Sequence, residues 1–131
     1  MTQLAKGELA VKLLALAIEG QAEGTTLRRM SIDKTISGDL VAITSGQMLS
    51  AMTGVEGSAG YVAIERVDGS LHNKKGSFVL QHTGTMTRGV PQLLHTVVPD
   101  SGTDELVGLT GEFKIVIVNG KHSYEFSYSL P

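Results

Sequence analysis

Hydrophobic and polar residues alternate along most of this chain with a period of two, in runs rich in Val, Ile, Thr and aromatics. Gly, Asp, Asn and Ser interrupt the runs at short spacing, at Gly20 to Gly24, Ser37-Gly38-Asp39, Thr53 to Gly60, Asp68-Gly69 with Asn73 to Gly76, Arg88-Gly89 near Pro91, Pro99 to Thr103, and Asn119-Gly120. About eight strand-length segments remain, at 4 to 18, 26 to 36, 39 to 52, 58 to 71, 77 to 87, 92 to 98, 105 to 118 and 121 to 130. The first is ambiguous. Leu4, Leu9, Val11, Leu13, Leu14, Leu16 and Ile18 could line an amphipathic helix, and Ala and Leu favour helix, but a solitary helix before an all-β chain is less economical than a strand.

Val118-Asn119-Gly120-Lys121 sets a register, because Asn-Gly accepts the positive φ angles of a two-residue type I′ hairpin. With Val118 opposite Lys121, Ile117 faces His122, Ile115 faces Tyr124, Phe113 faces Phe126 and Gly111 faces Tyr128, an apolar side. The other side pairs Lys114 with Glu125, Val116 with Ser123 and Glu112 with Ser127, which suits solvent. An aromatic ring over Gly111, and glycines within strand-like segments at Gly46, Gly84 and Gly108, fit a strongly curved sheet. The expectation is an all-β fold: one domain over residues 1 to 131, a closed eight-stranded antiparallel barrel able to hold side chains or one small ligand.

Composition narrows the chemistry. The chain has 131 residues, no Cys, 11 Lys+Arg and 13 Asp+Glu, which excludes disulfides, thiolate nucleophiles and Cys-ligated metals and gives no basic field for nucleic acid or anionic lipid. The longest apolar run, Leu13 to Ile18, is far short of the roughly 20 residues that span a bilayer, and Lys6, Glu8 and Lys12 break any signal-peptide pattern there. A cytoplasmic protein without a membrane or nucleic-acid partner is expected. A first strand apolar on both faces, Leu9, Val11 and Leu13 against Leu14 and Leu16, suggests a homodimer.

Several longer stretches carry a family resemblance: Met30-Ser-Ile-Asp-Lys-Thr35 with Gly38-Asp-Leu40, Gly57-Ser-Ala-Gly-Tyr-Val-Ala-Ile-Glu-Arg66, Gly76-Ser-Phe-Val-Leu-Gln-His-Thr-Gly-Thr-Met86, Val98-Pro-Asp-Ser-Gly-Thr-Asp-Glu-Leu106 with Gly108-Leu-Thr-Gly111, and Gly120-Lys-His-Ser-Tyr-Glu-Phe126. Together they resemble the bacterial family called domain of unknown function 3224, over nearly the whole chain. The resemblance implies an allene-oxide-cyclase-like barrel, related in shape to the calycin and dirigent barrels, and implies no activity. Where that family often has Glu before Met-Leu, this chain has Gln47-Met48-Leu49.

The candidate chemistry lies on the inward side of the expected barrel. His82 alternates with Phe78, Leu80, Gly84 and Met86 and so points inward. A four-residue loop at Asn73 to Gly76 would set His82 across from Val67 and Glu65 across from Gly84, placing Glu65, His82 and Tyr61 in one lumen. A one-residue bulge at Asp68-Gly69 would turn Glu65 outward instead.

A buried Glu beside a His is an acid/base pair, so Glu65 and His82 are the candidate catalytic groups. Tyr61, Leu80, His95, Phe113, Ile115, His122, Tyr124 and Phe126 are the candidate ligand lining, with the tyrosines as donors and the histidines as anchors for an acidic head group. His82 and His95 sit on neighbouring strands, but two histidines with at most one carboxylate are too few for a metal site, and no cofactor is expected. No nucleophile elbow or phosphate-cradling glycine loop is present.

The expected function is binding of a small hydrophobic or amphipathic ligand in the lumen. The alternatives are a cofactor-independent isomerase or cyclase using Glu65 and His82, and a filled barrel with a structural or interaction role.

Overall fold

The β-branched runs form strands between the expected breakers, and the second, third and fourth of them carry the period-two burial of a sheet with one wet face. A computed structural model describes residues 2–18 and 25–131; the turn expected at Gly20 to Gly24 lies outside the described residues. The strands are β1 Gln3–Leu16, β2 Thr25–Gly38, β3 Leu40–Thr53, β4 Ala59–Leu71, β5 Lys74–Thr87, β6 Val90–Val97, β7 Thr110–Val118 and β8 Lys121–Ser129. Each pairs antiparallel with the next and β8 returns to β1, closing an eight-stranded barrel. The N-terminal segment is therefore a strand, as its economy argued.

The Asn119-Gly120 turn has φ of 52° and 76°, and the β7–β8 register is the expected one, from Val118 opposite Lys121 to Gly111 opposite Tyr128. The β4–β5 turn differs from expectation. His72 and Asn73 take φ of 46° and 67°, so this is a two-residue turn with Leu71 opposite Lys74, and no bulge interrupts the ladder at Asp68-Gly69. His82 lies opposite Ala63 and Glu65 opposite Leu80, not opposite Val67 and Gly84. The offset is an even number of residues, so every side chain keeps its expected face. The segment from 105 also differs. Asp104–Leu106 is a single 3-10 turn, and Gly108 lies in the loop before β7 at φ 84° instead of in a strand.

The two ends of the barrel are unlike. At one end β1 pairs with both neighbours, and Leu40, Leu71, Phe78, Phe113, Tyr124, Phe126 and Tyr128 fill the interior beneath Leu106 and Leu109. Phe126 stacks on Phe78 and Tyr128 with ring centroids 5.7 and 5.3 Å apart. The Phe126→Ala variant should lose about 3–5 kcal/mol, read from urea unfolding, since a packed aromatic site cannot collapse; a loss under about 1 kcal/mol would show this end to be loosely packed.

At the other end β8 stops pairing with β1 at Glu8, while β1 runs on against β2 to Leu16. The only paired residues between β6 and β7 are Thr96 and Glu112 among the described residues. Val11 and Leu13 on the inner face, and Leu14 on the outer face, are all exposed there. No helix among the described residues is long and apolar enough to cross a membrane.

Candidate functional site

Midway along the interior, where the packed end gives way to the splayed end, the inward positions turn polar. Lys34 follows Ile36 on β2, Thr44 follows Ala42 on β3, Glu65 follows Val67 on β4, and His82 follows Leu80 on β5. His95 lies opposite His82 on β6, with the two rings edge to face at 4.2 Å. All five are buried, and Tyr61, the next inward residue on β4 beyond Ala63, is half-buried.

Glu65 is the hub. Its carboxylate, 0% exposed, accepts Lys34 Nζ at 3.0 Å on Oε1 and Thr44 Oγ1 at 2.5 Å on Oε2. His82 Nε2 lies 2.9 Å from Oε1 but off the line of an aligned N–H···O bond, and Nε2 has no hydrogen-bond partner among the described residues. Burial alone would raise the carboxyl pKa, but His82, the Lys34 charge and the Thr44 hydroxyl outweigh it and lower the value to about 2. Burial, with the charges of His82 and Lys34, lowers His95 to about 4, against a smaller opposing pull from the Phe113 carbonyl. Burial and the Glu65 charge both raise Tyr61.

His95 links the cluster to the mouth, with Nδ1 at 3.2 Å from the Phe113 carbonyl and Nε2 at 3.1 Å from the Tyr61 hydroxyl. The Tyr61 ring lies over Gly84, where an added Cβ would stand 2.3 Å from its Cε1 and 2.6 Å from Leu93 Cδ2. Only glycine leaves room for that ring and for Leu93.

The structure thus brings together Tyr61, Glu65, His82 and His95 of the expected site residues. It sets Leu80, Phe113, Tyr124 and Phe126 in the packed end, with half-buried Ile115 against them. Tyr124 is committed to the backbone: its hydroxyl accepts from the Leu40 N–H at 3.0 Å and donates to the Ser37 carbonyl at 2.8 Å. His122 is half-buried beside the β7–β8 turn, opposite exposed Ile117 and away from the cluster. Lys34 and Thr44 were missed, although Ile32-Asp-Lys-Thr-Ile36 already places Lys34 on the side of two isoleucines. No group of three or more His, Asp or Glu positioned for a metal ion occurs among the described residues.

A family model described as "Protein of unknown function (DUF3224)" matches residues 5–128. The chain belongs to the DUF3224 family. A crystal structure of a DUF3224 protein of unknown function from Shewanella oneidensis MR-1 is 49% identical to this DUF3224 chain, with a TM-score of 0.96, over 100% of this chain and 98% of that one. Comparison with curated proteins finds no match. The Gln47 that departs from the DUF3224 pattern is exposed on the outer face of β3, outside the polar cluster.

A cavity of about 710 Å³ lies against β2–β6 of this DUF3224 barrel. Leu27, Leu49, Val62, Thr83 and Leu94 in its lining belong to the outward-facing series and Ser50, Tyr61 and Leu93 to the inward-facing one, so the groove runs mainly along the outside of the sheet and also touches residues of the inner face. The inward-facing Val11, Leu13, Leu93 and Ile117 at the splayed end are exposed, and Leu93 also borders the groove.

Proposed function

We propose that this protein binds a small hydrophobic or amphipathic molecule in the splayed half of its lumen, with the polar end at Tyr61 and the apolar body along Val11, Leu13, Leu93 and Ile117. The observation that carries this reading is the row of inward-facing apolar side chains left exposed above a buried polar floor. Inward positions of a small barrel are ordinarily filled by one another, as they are at the packed end. The state of Glu65 favours binding over proton transfer. A carboxylate with a pKa of about 2, held by Lys34 and Thr44, is a weak base near neutral pH.

Native mass spectrometry of protein purified from its own host, followed by denaturing extraction, tests the reading. A stoichiometric small apolar molecule is expected, and a Leu13→Glu variant should lose it. A ligand-free mass combined with no uptake of an added apolar dye such as Nile red would overturn the proposal in favour of a filled, structural barrel.

A further inference from the structure

The positions of two protons, one on His95 and one on Tyr61, decide what the lumen can offer a ligand. A carbonyl oxygen only accepts, so His95 Nδ1 carries a proton and donates it to Phe113 at 3.2 Å. His95 is buried against the His82 ring, and Lys34, Glu65, His82 and Tyr61 are the titratable groups that face it. A second ring proton would add a buried charge near the Lys34 ammonium, and the Glu65 carboxylate that could offset it is already paired with Lys34 at 3.0 Å. The imidazole is therefore neutral and its Nε2 is a bare lone pair. The Tyr61 hydroxyl, 3.1 Å from Nε2, has one proton and gives it to that lone pair. The phenol stays protonated near neutral pH because burial and Glu65 both disfavour the phenolate.

The lumen consequently receives the lone pairs of the Tyr61 oxygen and not its proton. This reverses the expected donor role of Tyr61, and the neutral state of His95 removes it as an anchor for an acid. We propose that the lumen selects neutral apolar molecules bearing a hydroxyl group, which donate to the Tyr61 oxygen, over the corresponding carboxylic acids. The inference rests on the lumen-binding reading above. An alcohol keeps its hydrogen bond when it leaves water, whereas a carboxylate sets lone pairs against lone pairs and brings a second negative charge toward Glu65. The buried cation that would welcome the acid, Lys34, is already taken.

The experiment is displacement of Nile red from the full chain near neutral pH by dodecanol and by dodecanoate. Dodecanol should displace the dye at roughly tenfold lower concentration, the effect of one unpaired buried polar group. In Tyr61→Phe the preference should narrow to about threefold, because the Tyr61 acceptor is gone while the Glu65 charge remains. Nile red that binds and is displaced equally well by both, or better by dodecanoate, would overturn the preference and leave the lumen as a binding site. Nile red that does not bind at all would overturn the binding reading and the preference together. Side-chain nitrogen NMR of labelled histidine gives a check without ligand or variant: a neutral His95 ring protonated on Nδ1 is expected near neutral pH, and a proton on Nε2 would sink the inference.

Discussion

Acidification should destabilise the protein in two consecutive steps, the first beginning well above the range of ordinary carboxylates. The first belongs to His95, whose ring is protonated at 6.5 in its ordinary state and only at about 4 when folded, because of burial and the neighbouring His82 and Lys34. Between those values the unfolded chain binds a proton that the folded chain refuses. The stabilisation is complete above pH 6.5 and is lost as the pH falls to about 4, by on the order of 3 kcal/mol for a shift of this size.

The second step belongs to Glu65, shifted from 4.5 to about 2; its contribution is present above 4.5 and is lost on the way to 2, by a similar amount. Urea unfolding followed by circular dichroism at a series of pH values reads both steps. His95→Asn should flatten the first step and leave the second, and Glu65→Gln should do the reverse. Stability that stays level from neutrality down to the ordinary carboxylate range would show that His95 titrates as if exposed, and would remove the basis for its neutral state at the lumen floor.

Which side of the sheet each residue takes was legible in the sequence because the period is two, and an even error in register is harmless. The four-residue loop expected at Asn73 to Gly76 was a two-residue turn at His72 and Asn73, yet Glu65, His82 and Tyr61 still met inside the barrel. Depth along the barrel was not legible. Phe113, Tyr124, Phe126 and Leu80 face inward as expected but end up packed on one another, because β8 stops short of the splayed half of β1 and leaves them at the closed end.

Lys34 shows a different gap. Its inward face followed from its two flanking isoleucines, but a lysine inside a barrel is expensive unless a carboxylate meets it, and the partner lies 31 residues away on a strand that is not its hydrogen-bonded neighbour. The donor or acceptor role of Tyr61 was further out of reach. It depends on which nitrogen of His95 carries the proton, and a carbonyl on β7 fixes that.

The Lys34–Glu65 pair should give the largest coupling of any two residues in the protein. Lys34→Met leaves the carboxylate buried with only His82 and Thr44, and Glu65→Gln leaves an ammonium whose side chain is 4% exposed without a counter-charge. Each single variant should cost about 3–5 kcal/mol, since breaking a buried pair strands the surviving charge. The double variant strands nothing, and a buried ion pair is worth little against neutral groups of similar size. It should therefore be more stable than either single variant, with a coupling of at least about 2 kcal/mol in a urea-unfolding cycle.

Costs that add to within about 0.5 kcal/mol would mean that Lys34 reaches water after each change, and that the polar floor is wet. The same double variant separates structure from recognition. It removes the Glu65 and Lys34 charges together, so the net charge beneath the lumen is unchanged, while leaving Tyr61 and His95 in place. Dodecanol should therefore keep its lead over dodecanoate there, because the lone pairs on the Tyr61 oxygen still face the lumen.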